Sequence, residues 1–331
     1  MKFLGAILET LVVLLTTAGL AAAQQAQPTD SGPRQSLDDA WWTGPMLAPS
    51  AATLPRGHFL IEPYLYDVIA YGTYDHDGKR RSVPHSNGLG SLTYINYGLA
   101  DKWTVGLIPT AGYNVVSNGV NSAGVGLGDI TVQAQYRLLQ FHEGSWIPTT
   151  SFNLQETFPT GKYDRLGSRP SDGLGSGAYT TTIGLYSQTY FWMPTGRILR
   201  MRFNVQQAFS SDAKVQDVSV YGTADGFRGH AAPGSSTLID ASWEYSVTRS
   251  WVLASDVVYR HAANTRVTGF NAADPTRVEL NLGSTDTFAV APAIEYSWKR
   301  SVGVLLGVRL IPAGRNTTAS VTPAVAINIV H

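Results

Sequence analysis

Apolar and polar side chains alternate with a period of two along most of the chain after Gly57. Residues 130–138 show this clearly, with Ile, Val, Ala, Tyr and Leu at even positions and Thr, Gln, Gln and Arg at odd positions. Residues 199–206 and 288–298 repeat the pattern. Successive side chains of a β-strand point to opposite faces of its sheet, so each segment has one apolar and one polar face. The pattern therefore predicts strands.

Twelve segments carry this alternation, and their lengths are near the 9–11 residues that a tilted strand needs to cross a bilayer. They cover residues 57–70, 88–98, 103–113, 128–138, 148–158, 178–191, 198–210, 236–246, 251–261, 286–298, 301–311 and 319–331. Only helices and closed barrels satisfy every backbone group in lipid. The predicted fold class is all-β: a transmembrane, antiparallel, up-and-down β-barrel of about 12 strands, range 10–14.

The connections between these segments alternate in length. Short links follow the even-numbered segments, at residues 99–102, 139–147, 192–197, 247–250 and 299–300. Long polar links follow most odd-numbered segments, at residues 71–87, 114–127, 159–177, 211–235 and 262–285, whereas the last, 312–318, is shorter. Outer-membrane barrels have short periplasmic turns and long extracellular loops. A soluble β-sandwich, the alternative fold, has no reason to sort its loops in this way.

Most of the tryptophans lie within a few residues of a short link. Tryptophan is amphipathic and favours the headgroup level of a membrane. We therefore predict an aromatic girdle at the periplasmic rim, formed by Trp103, Trp146, Trp192, Trp243, Trp251 and Trp298. In the alternative interpretation these side chains are core anchors of a soluble sandwich.

Residues 1–23 have the features of a secretory signal peptide. Lys2 supplies a positive n-region, residues 11–23 are apolar, and Ala21 and Ala23 give an A-x-A cleavage pattern. The apolar run is too short to span roughly 30 Å of hydrocarbon as a helix. We predict cleavage near Ala23 and a location in the outer membrane of a Gram-negative bacterium.

Residues 24–56 are rich in Gln, Pro, Ser, Asp and Ala and show no period, so we predict an irregular periplasmic extension before a barrel over 57–331. Trp41 and Trp42 stand in this extension beside Gly44 and Pro45. Adjacent tryptophans exposed to water form a sticky patch, so they should dock somewhere. Three placements are open: a plug in the periplasmic mouth, a periplasmic partner, or the membrane interface.

Composition argues against several classes of function. Lys plus Arg number 24 and Asp plus Glu number 24, so the chain lacks the basic excess that a nucleic-acid partner requires. Charged residues make up 15% of the chain, against roughly 25% in soluble domains. The chain has no cysteine, which excludes disulfides, thiol catalysis and thiolate metal sites.

Short motifs indicate neither a cofactor nor a metal, and we predict none. The glycines of residues 124–128 are spaced G-x-G-x-G before a strand, unlike those of a nucleotide-binding loop. Residues 75–78, Asp-His-Asp-Gly, could form a metal loop, although Asp-Gly is more typical of a turn. The histidines show no ligand spacing. Asp256 and His261 could approach one another, which keeps an outer-membrane hydrolase as an alternative.

Charged residues occupy the polar side of many predicted strands. A charge facing lipid near the midplane costs about 2–4 kcal/mol, so these side chains should face the lumen. They either fill the barrel as paired networks or line a conduit and set its selectivity. Asp240 and Glu244 are the candidate partners of Arg200 and Arg202 on the preceding strand. The lumen-lining candidates are Glu62, Asp129, Arg137, Arg200, Arg202, Asp240, Glu244, Asp256, Arg260, Glu295 and Arg309.

Several short motifs occur in order along the barrel region. They are L-P-R-G at 54–57, Y-G-L-A-D at 97–101, G-L-G-D at 126–129, Y-R-L at 136–138 and F-P-T-G at 158–161. Over residues 54–331 the chain therefore resembles the MetA-pathway of phenol degradation family of outer-membrane channels. The resemblance implies uptake of small, often hydrophobic molecules. Two features depart from it: the chain ends in His331 rather than an aromatic residue, and residues 41–45 have no counterpart.

Together, the residues and the resemblance predict a porin-like monomer that is not an enzyme. It would pass small, hydrophobic or aromatic molecules by passive diffusion. The expected partners are outer-membrane lipid, the barrel assembly machinery and the small-molecule substrate. The alternatives are a hydrolase with its site at the extracellular rim and a structural or adhesive barrel.

Overall fold

The body of the molecule is a closed antiparallel β-barrel, described over residues 34–273 and 276–331 by a computed structural model. The predicted signal peptide lies outside the described residues. Two short 3-10 helices cover Leu37–Asp39 and Pro170–Asp172. In chain order the strands are β1 (Phe59–Tyr74), β2 (Arg80–Ala100), β3 (Trp103–Ile108), β4 (Thr110–Val116), β5 (Gly126–Leu127), β6 (Ile130–Leu139), β7 (Thr149–Phe158), β8 (Thr180–Trp192), β9 (Ile198–Ser210), β10 (Ala213–Gln216), β11 (Phe227–Ala232), β12 (Ser236–Ser246), β13 (Trp251–Ala262), β14 (Arg266–Asn271), β15 (Arg277–Asn281), β16 (Thr285–Lys299), β17 (Val302–Arg315) and β18 (Thr317–Val330).

The barrel closes with 12 strands, as the alternation predicts. β1 pairs with β2 on one side and with β18 on the other, so that Leu65 lies opposite Ser91 and Val325. This closure removes the exposed edges that an open sheet would present. β3 and β4 form a single barrel strand divided at Pro109, because proline has no N–H to donate to a ladder. β2 pairs with both halves.

The two ends of the barrel carry different connections. The short-turn end holds the links β2–β3, β6–β7, β8–β9, β12–β13 and β16–β17, with the start of β1 and the end of β18. The long-loop end holds the other links. Two of those are shorter than predicted: β1 and β2 leave residues 75–79 between them, and β17 and β18 leave Asn316. Backbone pairing continues there past the end of the alternation, since ladder hydrogen bonds need no apolar face.

A second, small sheet stands at the long-loop end, within the regions 211–235 and 262–285 that were predicted as polar links. β10, β11, β14 and β15 pair in that order. Val215, Phe227 and Val267 belong to a small apolar core in this region. These strands have only 4 to 6 residues each, too few for a clear period in the sequence.

The inner and outer faces of the barrel differ as the alternation predicts. In β9, Arg200, Arg202 and Asn204 are buried, whereas Phe203 points outward and is exposed. Large exposed hydrophobic side chains such as Leu185 recur around the exterior. An apolar exterior around a polar interior is the arrangement of a barrel in lipid. Within the described ranges, no helix is long and apolar enough to span a membrane.

Candidate functional site

The N-terminal segment, residues 34–58, enters the lumen from the short-turn end. Its beginning is fastened to the turns there. Gln35 N–H donates to the Gly196 carbonyl (3.0 Å), and the Trp192 indole donates to the Gln35 carbonyl (2.8 Å). Trp41 N–H donates to the Arg249 carbonyl (2.9 Å). Arg249 also pairs with Asp39, and the hydrogen bond from its guanidinium lowers the pKa of that carboxyl.

Two buried carboxylates of the barrel wall hold the middle of the segment. Glu295 of β16 accepts hydrogen bonds from Thr43 N–H (2.6 Å), the Thr43 hydroxyl (2.9 Å) and Gly44 N–H (3.1 Å). Asp256 of β13 accepts from Leu47 N–H (3.2 Å) and Ala48 N–H (3.0 Å). These bonds give the irregular backbone of the segment the donor–acceptor partners that it cannot find within itself.

Polar side chains on the opposite wall bind the carbonyls of the returning half. Arg202 donates to the Ala48 carbonyl (2.7 Å) and Asn204 to the Pro49 carbonyl (2.9 Å). Gln135 of β6 donates to the Ser50 carbonyl (3.0 Å). The segment thus crosses the lumen from β16 to β6 before it returns to the short-turn end and enters β1.

Neutral amides make up much of this wall, and the list of lumen candidates from the sequence left them out because it contained charged residues only. Gln133, Gln135, Asn153, Gln155, Asn204 and Gln206 all lie on the inner face. They occupy the polar positions of the same alternating strands, which is the signal that could have found them.

A buried cluster of charged side chains lies against the segment. Glu244 of β12 pairs with Arg200, and its Oε2 lies 3.1 Å from Arg202 Nε. The ring of Trp42 covers Arg200, with 4.5 Å between the guanidinium carbon and the ring centroid. Of the two predicted partners, Glu244 makes these contacts. Asp240 is also buried, but its Oδ1 has no hydrogen-bond partner among the described residues.

The structure separates the other lumen candidates into three groups. Glu62, Arg260 and Arg309 line the lumen cavity. Arg137 is half-buried on β6 near the short-turn end and does not line that cavity. Asp129 precedes β6 and holds a loop at the long-loop end, where its carboxylate accepts from Gly161 N–H (3.0 Å) and Ser176 N–H (2.8 Å). Asp129 thus lies just before β6 and binds an outer loop, and it is not among the residues that line the cavity.

The six girdle tryptophans all lie near the short-turn end, in three settings. Trp103, Trp243, Trp251 and Trp298 point outward from their strands, and Trp146 lies in a turn with 89% of its surface exposed. Trp192 instead contacts the N-terminal segment through Gln35 and the Arg34 guanidinium, whose carbon lies 4.1 Å from the ring centroid.

A cavity of about 640 Å³ remains in the lumen beside the segment, and its lining extends from Leu60 and Thr104 near the short-turn end to Thr317 and Thr318 at the long-loop end. Residues 43–50 form part of its boundary. The wall over β13, β16 and β17 presents apolar side chains, with Val258, Ala289 and Ile311 in one cluster. The wall over β6, β7 and β9 presents the amides. The cavity thus combines an apolar strip, flanked by Arg260 and Arg309, with a wall of neutral amides, which suits a small molecule of mixed character.

The residues that motivated a hydrolase or a metal loop have other partners. Asp256 and His261 are five positions apart on β13 and so point to opposite faces. His261 Nδ1 lies 2.8 Å from Asp286 Oδ1. Asp75 Oδ1 accepts from Asp77 N–H (3.0 Å) and Lys79 N–H (2.9 Å), which is turn chemistry.

Comparison with known proteins agrees with this architecture. A family model described as MetA-pathway of phenol degradation matches residues 85–322. The chain belongs to this family. Among curated proteins, no sequence matches the chain.

The fold of this family member is similar to that of an outer membrane channel from Pseudomonas putida F1, with a TM-score of 0.65 and 14% identity over 86% of this chain and 100% of that chain. More distant similarities include the translocator domain of the autotransporter NalP from Neisseria meningitidis (TM-score 0.42, 14% identity, 83% and 89% covered). Another is the TodX monoaromatic hydrocarbon channel (TM-score 0.34, 12% identity, 84% and 90% covered). At 14% identity, the likeness to the Pseudomonas putida channel shows the fold alone.

Proposed function

We propose that this protein is an outer-membrane channel through which small hydrophobic or aromatic molecules diffuse passively. The observation that carries the proposal is a ligand-sized cavity inside a closed barrel, bounded by the N-terminal segment. Membership of the MetA-pathway of phenol degradation family agrees with a role in handling such compounds.

In this proposal the N-terminal segment acts as the plug of the channel. Its backbone is held by side chains of the wall, through Glu295, Asp256, Arg202 and Asn204. Passage toward the periplasm then requires the segment to shift. The hydrogen bonds between these side chains and the segment determine the free energy that the shift requires. Hydrogen bonds to charged groups contribute about 1.5–3 kcal/mol each, which is large enough to keep the segment in place and small enough to be overcome locally.

A reversible cross-link tests both the channel and the plug. A Cβ built on Gly303 of β17 would lie against Thr43 Cγ2, so the paired substitutions Thr43→Cys and Gly303→Cys bring two thiols together in a chain that has no other cysteine. We expect the oxidised variant to pass phenol into liposomes more slowly than wild type, and the reduced variant to regain the rate. Planar-bilayer conductance should fall and recover in the same way.

A second variant separates the plug from the channel. Glu295→Gln combined with Asp256→Asn weakens the charged hydrogen bonds to the segment and should raise conductance. The matched control is Glu156→Gln, since Glu156 bonds to Thr181 and not to the segment. If wild type, reduced cross-link variant and loosened variant all fail to admit phenol or ions, the channel proposal is wrong. If oxidation and loosening change nothing in a conducting protein, the plug role is wrong.

A further inference from the structure

Two arginines line the lumen cavity without a carboxylate partner. Arg260 of β13 and Arg309 of β17 both belong to its lining. Within the described residues neither forms an ion pair, whereas Arg200 and Arg202 below them share Glu244. Arg309 Nε is buried and has no hydrogen-bond partner there, and Arg260 makes one long contact, 3.5 Å, to the Ser236 hydroxyl. Arg260 is exposed and Arg309 is half-buried, and both lack a carboxylate partner there, so an anion that enters the cavity would find unused guanidinium donors.

The two arginines flank an apolar strip of the same wall. β16 lies between β13 and β17 in the barrel, and its inward residues there are small, with Ala289 opposite Val258. Ile311 follows Arg309 on the inner face of β17 and packs in one cluster with Val258 and Ala289. Guanidinium groups at this wall therefore stand directly beside surface suited to an apolar body.

Acidic groups in the same cavity limit the negative charge that a ligand can carry there. Glu62 and Asp240 also line it, and Glu62 accepts a hydrogen bond from Asn328 (3.2 Å). The two arginines share the cavity with these two carboxyl groups. A ligand with one negative charge is therefore repelled less by the carboxyl groups than a phosphate group with two negative charges. Guanidinium groups match the geometry of a carboxylate through paired N–H donors.

We propose that Arg260 and Arg309 form a binding site for the carboxylate of an amphipathic small molecule, such as an aromatic or aliphatic acid. The apolar body of that acid lies on the strip formed by Val258, Ala289 and Ile311. The inference rests on the proposed channel function and adds a substrate class to it: the preferred solute carries one carboxylate on a hydrophobic frame. Its capture takes place on the long-loop side of the N-terminal segment, before any passage toward the periplasm.

Calorimetric titration of the purified full-length protein in detergent tests the site without requiring transport. The probes are 4-phenylbutyrate, its neutral counterpart 4-phenylbutanol, acetate and inorganic phosphate. We expect 4-phenylbutyrate to bind at least about tenfold more tightly than each of the other three, in line with charge-assisted hydrogen bonds. Measurements on the wild-type protein are sufficient to overturn the proposal. They would do so if 4-phenylbutyrate and 4-phenylbutanol bound with equal affinity, or if phosphate bound more tightly than 4-phenylbutyrate.

Variants then assign the effect to the two arginines. Arg260→Gln and Arg309→Gln should each weaken 4-phenylbutyrate binding about tenfold and leave 4-phenylbutanol unchanged. The matched control, Arg266→Gln, changes an exposed arginine of β14 outside the cavity and should leave both affinities as in wild type. Unchanged acid binding in both cavity variants contradicts the site. Loss of phenol entry with intact acid binding would instead refute the channel proposal alone.

Discussion

Inside the barrel, several buried charged groups have specific partners. Glu244 is fully buried and serves two arginines at once, while Glu295 and Asp256 take backbone N–H groups of the N-terminal segment. Burying a charge is tolerated only when such partners are present. The charged residues of the inner face therefore serve the packing of the lumen as well as any selectivity.

Substitution of Glu244 tests whether the barrel's stability depends on the carboxylate that pairs with Arg200 and Arg202. Glu244→Gln leaves Arg200 and Arg202 buried without a carboxylate, and breaking a buried pair costs about 3–5 kcal/mol. We expect a loss of that size in the free energy of unfolding, measured by urea titration of the folded barrel in liposomes. The control is Glu143→Gln, because Glu143 pairs with Arg34 at an exposed turn and such pairs contribute about 1 kcal/mol or less. Equal losses of unfolding free energy in both variants would show that the Glu244 cluster does not stabilise the barrel.

Individual strands follow the alternation closely where they cross the barrel and depart from it at the long-loop end. β1 and β2 extend beyond the predicted segments with polar and small residues, such as Ser82 and Ser86. Their pairing is maintained by the hairpin backbone, which the side-chain pattern does not record. The same limitation hid the short strands β10, β11, β14 and β15.

Adjacent positions of one strand should respond oppositely to a water-soluble thiol reagent. On β9, Gln206 lines the cavity, whereas Val205 points outward. We expect Gln206→Cys to be labelled in protein reconstituted in liposomes and Val205→Cys to be protected by lipid. The chain has no native cysteine, so background labelling is absent. Labelling at 205 with protection at 206 would mean that the register of β9 is shifted by one residue.

Considered as a whole, the molecule has an apolar belt outside and a polar, filled interior. Leu65, Leu185 and Leu253 are each more than half exposed on the outer face, an arrangement that is stable only when lipid covers it. The family and the fold both point to the outer membrane.

Location and assembly give the prediction at this scale. The mature chain should fractionate with the outer membrane and migrate faster in detergent gels before boiling than after, because a closed barrel resists detergent unfolding. A periplasmic maltose-binding protein and a known porin, run in parallel, serve as the fractionation controls. Recovery of the folded chain as a soluble periplasmic protein would contradict the membrane assignment.

The sequence alone was sufficient for the number of barrel strands, for their antiparallel order and for the two faces of a segment such as β9. These properties depend on alternation within about ten residues and on link lengths, both of which are local. It also supplied Asp240 and Glu244 as candidate partners for Arg200 and Arg202, because neighbouring antiparallel strands place such pairs face to face, and the structure shows the contacts with Glu244.

Only the tertiary structure decided what fills the lumen. The sequence left the N-terminal segment with three possible locations, and its contacts show why. Thr43 bonds to Glu295 across 252 residues of chain, and Ala48 to Asp256 across 208. The segment has no period of its own, and its path across the lumen is held by the wall that binds it. A local pattern cannot encode such contacts, because they exist only after the barrel has closed around the segment.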